Sequence, residues 1–323
     1  MTDYPLSAEL AAFVRQTLSY TGADDSIQGL RDSYERMCQA FTPPCPRGLV
    51  VQDVPLAGVP LRLYHPDRPP PADGWPWLLY LHGGGWVVGG LHSHAFITAH
   101  LASELQVLVI AVDYRLAPEH PFPAAFDDSL AVWRALEQGL APIPLDRQRR
   151  AVMGDSAGGN LAAALCLALR DAAEPLPGAQ VLVYPGLGGD ADLPSRRQCA
   201  DAPLLSSSDL EGFQSLYLPG PEPHSPYARP LLAQDFSNLP PAFIALAAFD
   251  PLRDDGACYH QRLLAAGVSS ELYPGQGLVH GCLRARGLAA EVDALYDALL
   301  HHLRQCLRAP ELSIRTPGAQ ATP

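Results

Sequence analysis

An α/β protein with a mainly parallel sheet, covered by helices on both faces, is what the sequence predicts. Three observations carry this expectation. Strand-like runs alternate with helix-like runs from about residue 77 onward. Runs such as Val107–Val112 and Ala242–Ala248 are apolar throughout, as strands buried on both faces are. With 323 residues and 48% hydrophobic composition, the chain has material for a large core, in one large domain or two.

The elements follow in chain order. Leu6, Leu10, Phe13/Val14 and Leu18 recur at helical spacing, and so do Ile27, Leu30, Tyr34, Met37/Cys38 and Phe41. Two amphipathic helices are expected, ended by Pro43 and Pro44. Extended segments follow near Leu49–Val54 and Pro60–Tyr64, then a proline-rich turn at Pro66–Pro76. Strands are expected at Trp77–His82, Val107–Val112, Ala151–Met153, Gln180–Tyr184, Ala242–Ala248 and Ser270–Tyr273. Helices are expected near Ala95–Glu104, Ala124–Gln138, Gly158–Arg170, Gly256–Ala266 and Ala289–Leu307. The stretch Gly186–Leu239 breaks the alternation. It is rich in Pro and Ser and holds one expected helix, Ser208–Leu216, with Asp209 in its first turn.

Composition excludes several kinds of chemistry. The chain contains no lysine, so a Walker A lysine, a Schiff-base lysine and a Ser–Lys pair are all impossible. A net charge of −12 argues against binding nucleic acid. Seven cysteines, an odd number with no CxxC spacing, point to free thiols in a reducing cytoplasm. Met1–Tyr20 carries Asp3 and Glu9 and reads as neither a signal peptide nor a membrane span. His92, His94 and His100 have no accompanying carboxylate or cysteine cluster. They are expected at the surface or at helix caps rather than on a metal.

Gly154-Asp155-Ser156-Ala157-Gly158 fits G-x-S-x-G, after an apolar strand and before a helix. In that context the sharp turn exposes Ser156 at a helix N-terminus, where developing negative charge is favoured. The bland alternative is a glycine-rich strand–helix turn without chemistry. His82-Gly83-Gly84-Gly85-Trp86 ends an earlier strand. Its glycines can aim backbone N–H groups at an oxyanion; Gly83 and Gly84 are the expected donors, with Ala157 after the nucleophile. Trp86 and Asp155 are expected to contact substrate. A serine nucleophile needs a base and an orienting acid, in the chain order Ser, acid, His. Of His224, His260, His280, His301 and His302, only His280 lies in a glycine-flanked loop between a strand and a helix. Asp250 ends an apolar run and precedes Pro251, whereas Asp254 and Asp255 suit the start of the next helix. Ser156, Asp250 and His280 are therefore the expected catalytic residues.

The motifs resemble those of the hormone-sensitive-lipase-like family of α/β-hydrolase carboxylesterases. The resemblance runs from about Leu78 to Leu307: HGGGW at 82–86, DYRLAPEHPFPAA at 113–125, GDSAGGN at 154–160, SPYARPL at 225–231, DPLRDDG at 250–256 and HG at 280–281. It implies an α/β-hydrolase fold with a helical cap. Residues 1–45 would be N-terminal cap helices, 46–185 and 240–308 the core, 186–239 a cap insertion and 309–323 a flexible tail. It also implies a serine hydrolase acting on short- to medium-chain carboxylic esters, with Tyr114, Arg115 and Glu119 supporting loops of the site. Two positions depart from the family pattern. Gly90 stands where a polar residue is common, and Cys282 where an aromatic one is, which is expected to widen the pocket beside His280.

The expected mechanism is acyl transfer through an acyl-enzyme, with no metal or organic cofactor. The expected partner is a small-molecule, uncharged ester. Neither nucleic acid nor stable membrane insertion is expected, and a homodimer is left open. The same residues could serve an acyltransferase, amidase or lactonase, or the fold could be a non-catalytic ligand receptor.

Overall fold

The computed structural model describes residues 4–22, 24, 26–221 and 225–308. His224 and the 309–323 tail lie outside the described residues. The chain opens with α1 (Ala8–Leu18) and α2 (Ile27–Ala40), where the apolar spacing places them. Ser7 caps α1 by accepting from the Leu10 N–H, and Ser26 caps α2 by accepting from Gly29. Then come β1 (Leu49–Leu56), β2 (Val59–Pro66), β3 (Trp75–Leu81), α3 (Ala95–Leu105), β4 (Leu108–Val112) and α4 (Ala124–Glu137). They are followed by β5 (Leu145–Asp155), α5 (Ala157–Asp171) and β6 (Gln180–Val183). The insertion carries α6 (Pro194–Gln198) and α7 (Ser207–Tyr217). The chain then returns through β7 (Ala242–Ala245), α8 (Arg253–Ala265), β8 (Ser270–Tyr273) and α9 (Ala290–Cys306).

The eight strands form one sheet in the order β1-β2-β4-β3-β5-β6-β7-β8. β2 is antiparallel to both β1 and β4, and every other neighbouring pair is parallel. Successive side chains of β3 point to opposite faces. Trp77, Leu79 and Leu81 join the core formed with α4, α5 and α8. Leu78 and Tyr80 join the one formed with α1, α3 and α9. Both faces are therefore sealed, which is why the strands read as unbroken apolar runs.

Three expectations are corrected in detail. β5 starts at Leu145, six residues before the expected Ala151, because Leu145 pairs with Trp75 and Arg150 with Trp77 of β3, the polar residues Asp146–Arg149 forming an irregularity in the register between them. An apolar-run criterion cannot see them. β7 stops at Ala245 rather than Ala248, since the chain leaves the ladder to reach the site. The insertion holds the short α6 as well as α7, whose first turn is a capping box of Ser206 and Asp209.

Core side chains pin the insertion. The fully buried Asp255 carboxylate accepts from the N–H groups of Leu187 (2.9 Å) and Gly189 (3.2 Å) and from Arg196 (2.6 Å). Asp254 accepts from the Ser195 N–H at 2.8 Å. At the start of α5, Asn160 donates to the carbonyls of Gly186 (2.8 Å) and Ala228 (3.0 Å), near the two ends of the inserted segment. On the other side Arg31 of α2 donates to Val87 O (2.9 Å) and Ala117 O (3.0 Å) and pairs with Glu119 at 2.6 Å.

Candidate active site

Ser156 sits between β5 and α5 with φ 54° and ψ −118°, a left-handed conformation that a non-glycine residue adopts only under constraint. Its N–H donates to Val183 O at 2.9 Å, which ties the turn to the neighbouring strand. Gly158 is required by close approach, because a methyl there would collide with the Leu81 carbonyl. The strain and the anchoring together thrust the serine out at the end of the central strands.

The isolated parallel bridge between Phe249 and Val279 sets Asp250 beside His280. His280 Nδ1 lies 2.7 Å from Asp250 Oδ2, and its Nε2 lies 2.9 Å from Ser156 Oγ. The Asp250 side chain is fully buried, and its other oxygen accepts from the Leu252 N–H at 2.8 Å. Both carboxylate oxygens are thereby oriented, and the ring they hold lies against Tyr184 at a centroid distance of 4.7 Å. Ser156, Asp250 and His280, more than 90 residues from one another except for the last two, converge on one point.

The oxyanion loop needs a correction. The Gly83 N–H, expected to be a donor, is occupied: it donates to Asp155 Oδ1 at 3.1 Å. No bond among the described residues uses the N–H of Gly84, Gly85 or Ala157, and all three line the cavity over Ser156. Gly84 and Gly85 have φ of 123° and 58°, a backbone that glycine permits. Sequence spacing cannot say which amide of a glycine run turns inward, so it does not single out Gly85.

The expectation for Asp155 is extended. It borders the cavity, but its carboxylate also accepts from the Tyr80 hydroxyl at 2.7 Å and lies 3.5 Å from His94 Nε2. Burial alone would raise its pKa; His94, Tyr80 and His82 outweigh that and hold it down at about 2. Its carboxylate is an internal strut for the loop, in addition to bordering the cavity. Trp86 does line the cavity, with its ring stacked on Tyr217 at 4.2 Å. Tyr114 donates to His82 O at 2.6 Å and stacks on the His82 ring at 4.1 Å, supporting the same loop from beneath. Arg115 grips Asp128 through two nitrogens.

Other expectations shift with burial. His94 is sealed against Asp155, neither at the surface nor capping α3 through its side chain. His92 faces Arg62 at 3.2 Å and His100 packs on Tyr296, so the three histidines do not converge. Cys282 points into the core at 0% exposure and does not widen the pocket. The cavity over Ser156 measures about 830 Å³. Leu18 and Met37 line it from the N-terminal helices, and Leu205, Leu210 and Phe213 from the insertion. No helix among the described residues is long and apolar enough to cross a membrane.

A hydroxyl, an imidazole and a carboxylate joined in this way at the ends of parallel strands are the arrangement of the serine hydrolases. The chain belongs to the α/β hydrolase fold family, whose profile matches residues 78–284. Carboxylesterase NlhH of Mycobacterium tuberculosis is 42% identical over 257 residues, covering 75% of this chain and 80% of the relative. Ethyl acetate hydrolase of Pseudomonas putida is 40% identical over 251 residues, covering 76% and 79%. The solved structure of an esterase from the bacterial hormone-sensitive lipase (HSL) family superposes with a TM-score of 0.85 at 30% identity, over 95% of this chain and 100% of the other.

Proposed function

We propose that the protein is a serine carboxylesterase that hydrolyses short- to medium-chain carboxylic esters through an acyl-enzyme. The observation that carries this reading is the continuous hydrogen-bonded path Ser156–His280–Asp250, at 2.9 and 2.7 Å, opening into the cavity. The printed activities of the relatives, a carboxylesterase and an ethyl acetate hydrolase, support it.

In the reaction Ser156 Oγ attacks the ester carbonyl while its proton passes to His280 Nε2. His280 Nδ1–H donates to Asp250, which holds the tautomer and stabilises the imidazolium as it forms. Negative charge growing on the carbonyl oxygen is met by the N–H groups of Gly84 and Ala157, with Gly85 in the place first expected of Gly83. The alcohol leaves with the proton from His280. Water, deprotonated by the same imidazole, then releases the acid. Residues 1–45 and 186–239 act as a cap whose apolar side chains receive the hydrocarbon parts of the substrate. Residence in the cytoplasm belongs to the same proposal, supported by seven unpaired cysteines.

Ser156→Ala is the direct test. The variant is expected to keep its circular-dichroism spectrum and lose at least about 10⁴-fold in kcat on p-nitrophenyl esters. An alkyl phosphonate is expected to label Ser156 in the wild type; near-normal turnover by the variant, or a label on another peptide, sinks the assignment.

A further inference from the structure

We propose that Arg284 makes this cavity a receptor for esters that carry a free carboxylate. The proposal rests on the esterase reading and narrows its substrate class. It also reverses the expectation that the partner is an uncharged ester.

Arg284 lies in the short 3₁₀ turn Cys282–Ala285, immediately after His280–Gly281, and lines the same cavity as Ser156 and His280. It is 8% exposed. Among the described residues no ion pair or hydrogen bond uses its guanidinium, and its Nε is buried without a partner. Its visible support is the ring of Tyr34, whose centroid lies 5.7 Å from the guanidinium carbon. Gly281, at φ 69°, leaves room for it: a methyl there would stand 2.7 Å from Nη2.

Arginines elsewhere in the protein are treated differently. Arg196, nearly as buried, is paired with Asp255 at 2.6 Å, and Arg150 has Glu137 at 3.1 Å. The carboxylate whose field reaches Arg284 is that of Asp155, which already accepts from Tyr80 and Gly83. The other groups whose field reaches it are two phenols and a thiol, which supply no charge; Asp24, Asp201 and Asp209 line the same cavity, but among the described residues none of them bonds Arg284. Burial pushes the Tyr34 hydroxyl well up and the Cys38 thiol up to about 11, so both stay protonated at neutral pH. An ion held in a buried place without a counter-ion is costly, and proteins normally pair it. Here the counter-ion can come through the cavity.

A guanidinium fork accepts a planar carboxylate through two parallel N–H···O bonds, a geometry that an ester carbonyl cannot match. The chain's net charge of −12 offers no general attraction for anions, so selectivity for them would come from this one group. Two kinds of ester bring the required carboxylate: half-esters of dicarboxylic acids on the acyl side, and esters of hydroxy acids on the alkoxy side.

Two matched pairs test both. Mono-(4-nitrophenyl) glutarate is compared with its methyl ester for the acyl side, and 4-acetoxybenzoate with methyl 4-acetoxybenzoate for the alkoxy side. In at least one pair the wild type is expected to prefer the carboxylate in kcat/KM, mainly through KM. Arg284→Gln is expected to reduce that preference at least about tenfold, with Arg284→Lys recovering part of it. A preference absent from both pairs, or one unchanged in Arg284→Gln, overturns the proposal. Should Arg284→Gln fail to fold, inhibition of the wild type by glutarate is compared with inhibition by butyrate. Stronger competitive inhibition by glutarate, weakening with salt, supports the proposal, and equal inhibition overturns it. Absence of hydrolysis of all four esters would instead overturn the esterase reading, and this inference with it.

Discussion

Two aspartate–histidine pairs adjoin Ser156, and they differ in what surrounds them. Asp250 and His280 are 2.7 Å apart, and the second imidazole nitrogen meets a serine hydroxyl on the floor of an open cavity. Asp155 and His94 are 3.5 Å apart; both are buried, and although Asp155 borders the cavity, His94 does not reach it. The second nitrogen of His94 meets Ser93 at 2.9 Å, inside the protein. In the proposed mechanism the same two residue types move a proton in one place, while in the other they hold a loop. What separates the roles is the partner of the second ring nitrogen and the access of water and substrate to it. The Asp155 carboxylate, at the carboxyl end of β5, accepts from Gly83 and so sets the backbone from which Gly84 and Gly85 face the cavity.

Replacing each aspartate by asparagine breaks the comparison most directly. Asp250→Asn leaves the shape but offers the imidazole the wrong partner, and kcat is expected to fall on the order of 10⁴-fold with little change in stability. Asp155→Asn is expected to do the reverse. Loss of a buried charged acceptor costs about 1–3 kcal/mol of stability. The displaced loop should lower kcat by roughly 10²-fold or less. Esterase kinetics and urea denaturation of both variants decide it; similar profiles would show that the two pairs share one role.

Acid sharpens the contrast. Burial, strengthened by His94, lowers the His82 pKa from its ordinary 6.5 to about 3. Between those values the unfolded chain binds a proton that the folded chain refuses, so stability falls as pH drops from about 6.5 towards 3. Asp155 acts in the same direction at lower pH, because its folded pKa is held below the ordinary value. Urea midpoints are expected to decline between pH 7 and pH 4.5, and less steeply in His82→Asn. An equal decline in that variant would place the acid sensitivity elsewhere. The smallest effect is expected at Glu119→Gln. It removes the charge that meets Arg31 while Arg31 keeps its bonds to Val87 and Ala117, and it should cost less than about 1 kcal/mol in thermal unfolding.

Much of the fold was readable because burial on both sheet faces leaves apolar strands with a signature, as in Val107–Val112. It was unreadable where polar residues continue a strand, as in Asp146–Arg150, or where five residues make a helix, as in α6. At the site, the residue types, the glycine spacing and the order Ser, Asp, His named three side chains that the fold brings within hydrogen-bonding distance. The structural bond between Gly83 and Asp155 is not legible in the sequence. The amide of one bonds the carboxylate of the other, and these lie 72 residues apart. Arg284 carries no signal in the sequence, because nothing in the short run Cys282–Ala285 shows that the guanidinium is buried.

Local chemistry written along the chain was thus enough to determine an α/β layer structure, a strained serine turn, a glycine-rich loop and an acid and base in the required order. Backbone propensity, apolar period and chain order are all properties of neighbouring residues. Tertiary structure alone decided which amides face the cavity, which of the two aspartate–histidine pairs meets a serine there, and that Arg284 is buried with no ion pair among the described residues. Those properties depend on partners and solvent exposure, and both are created only when segments distant in sequence pack together.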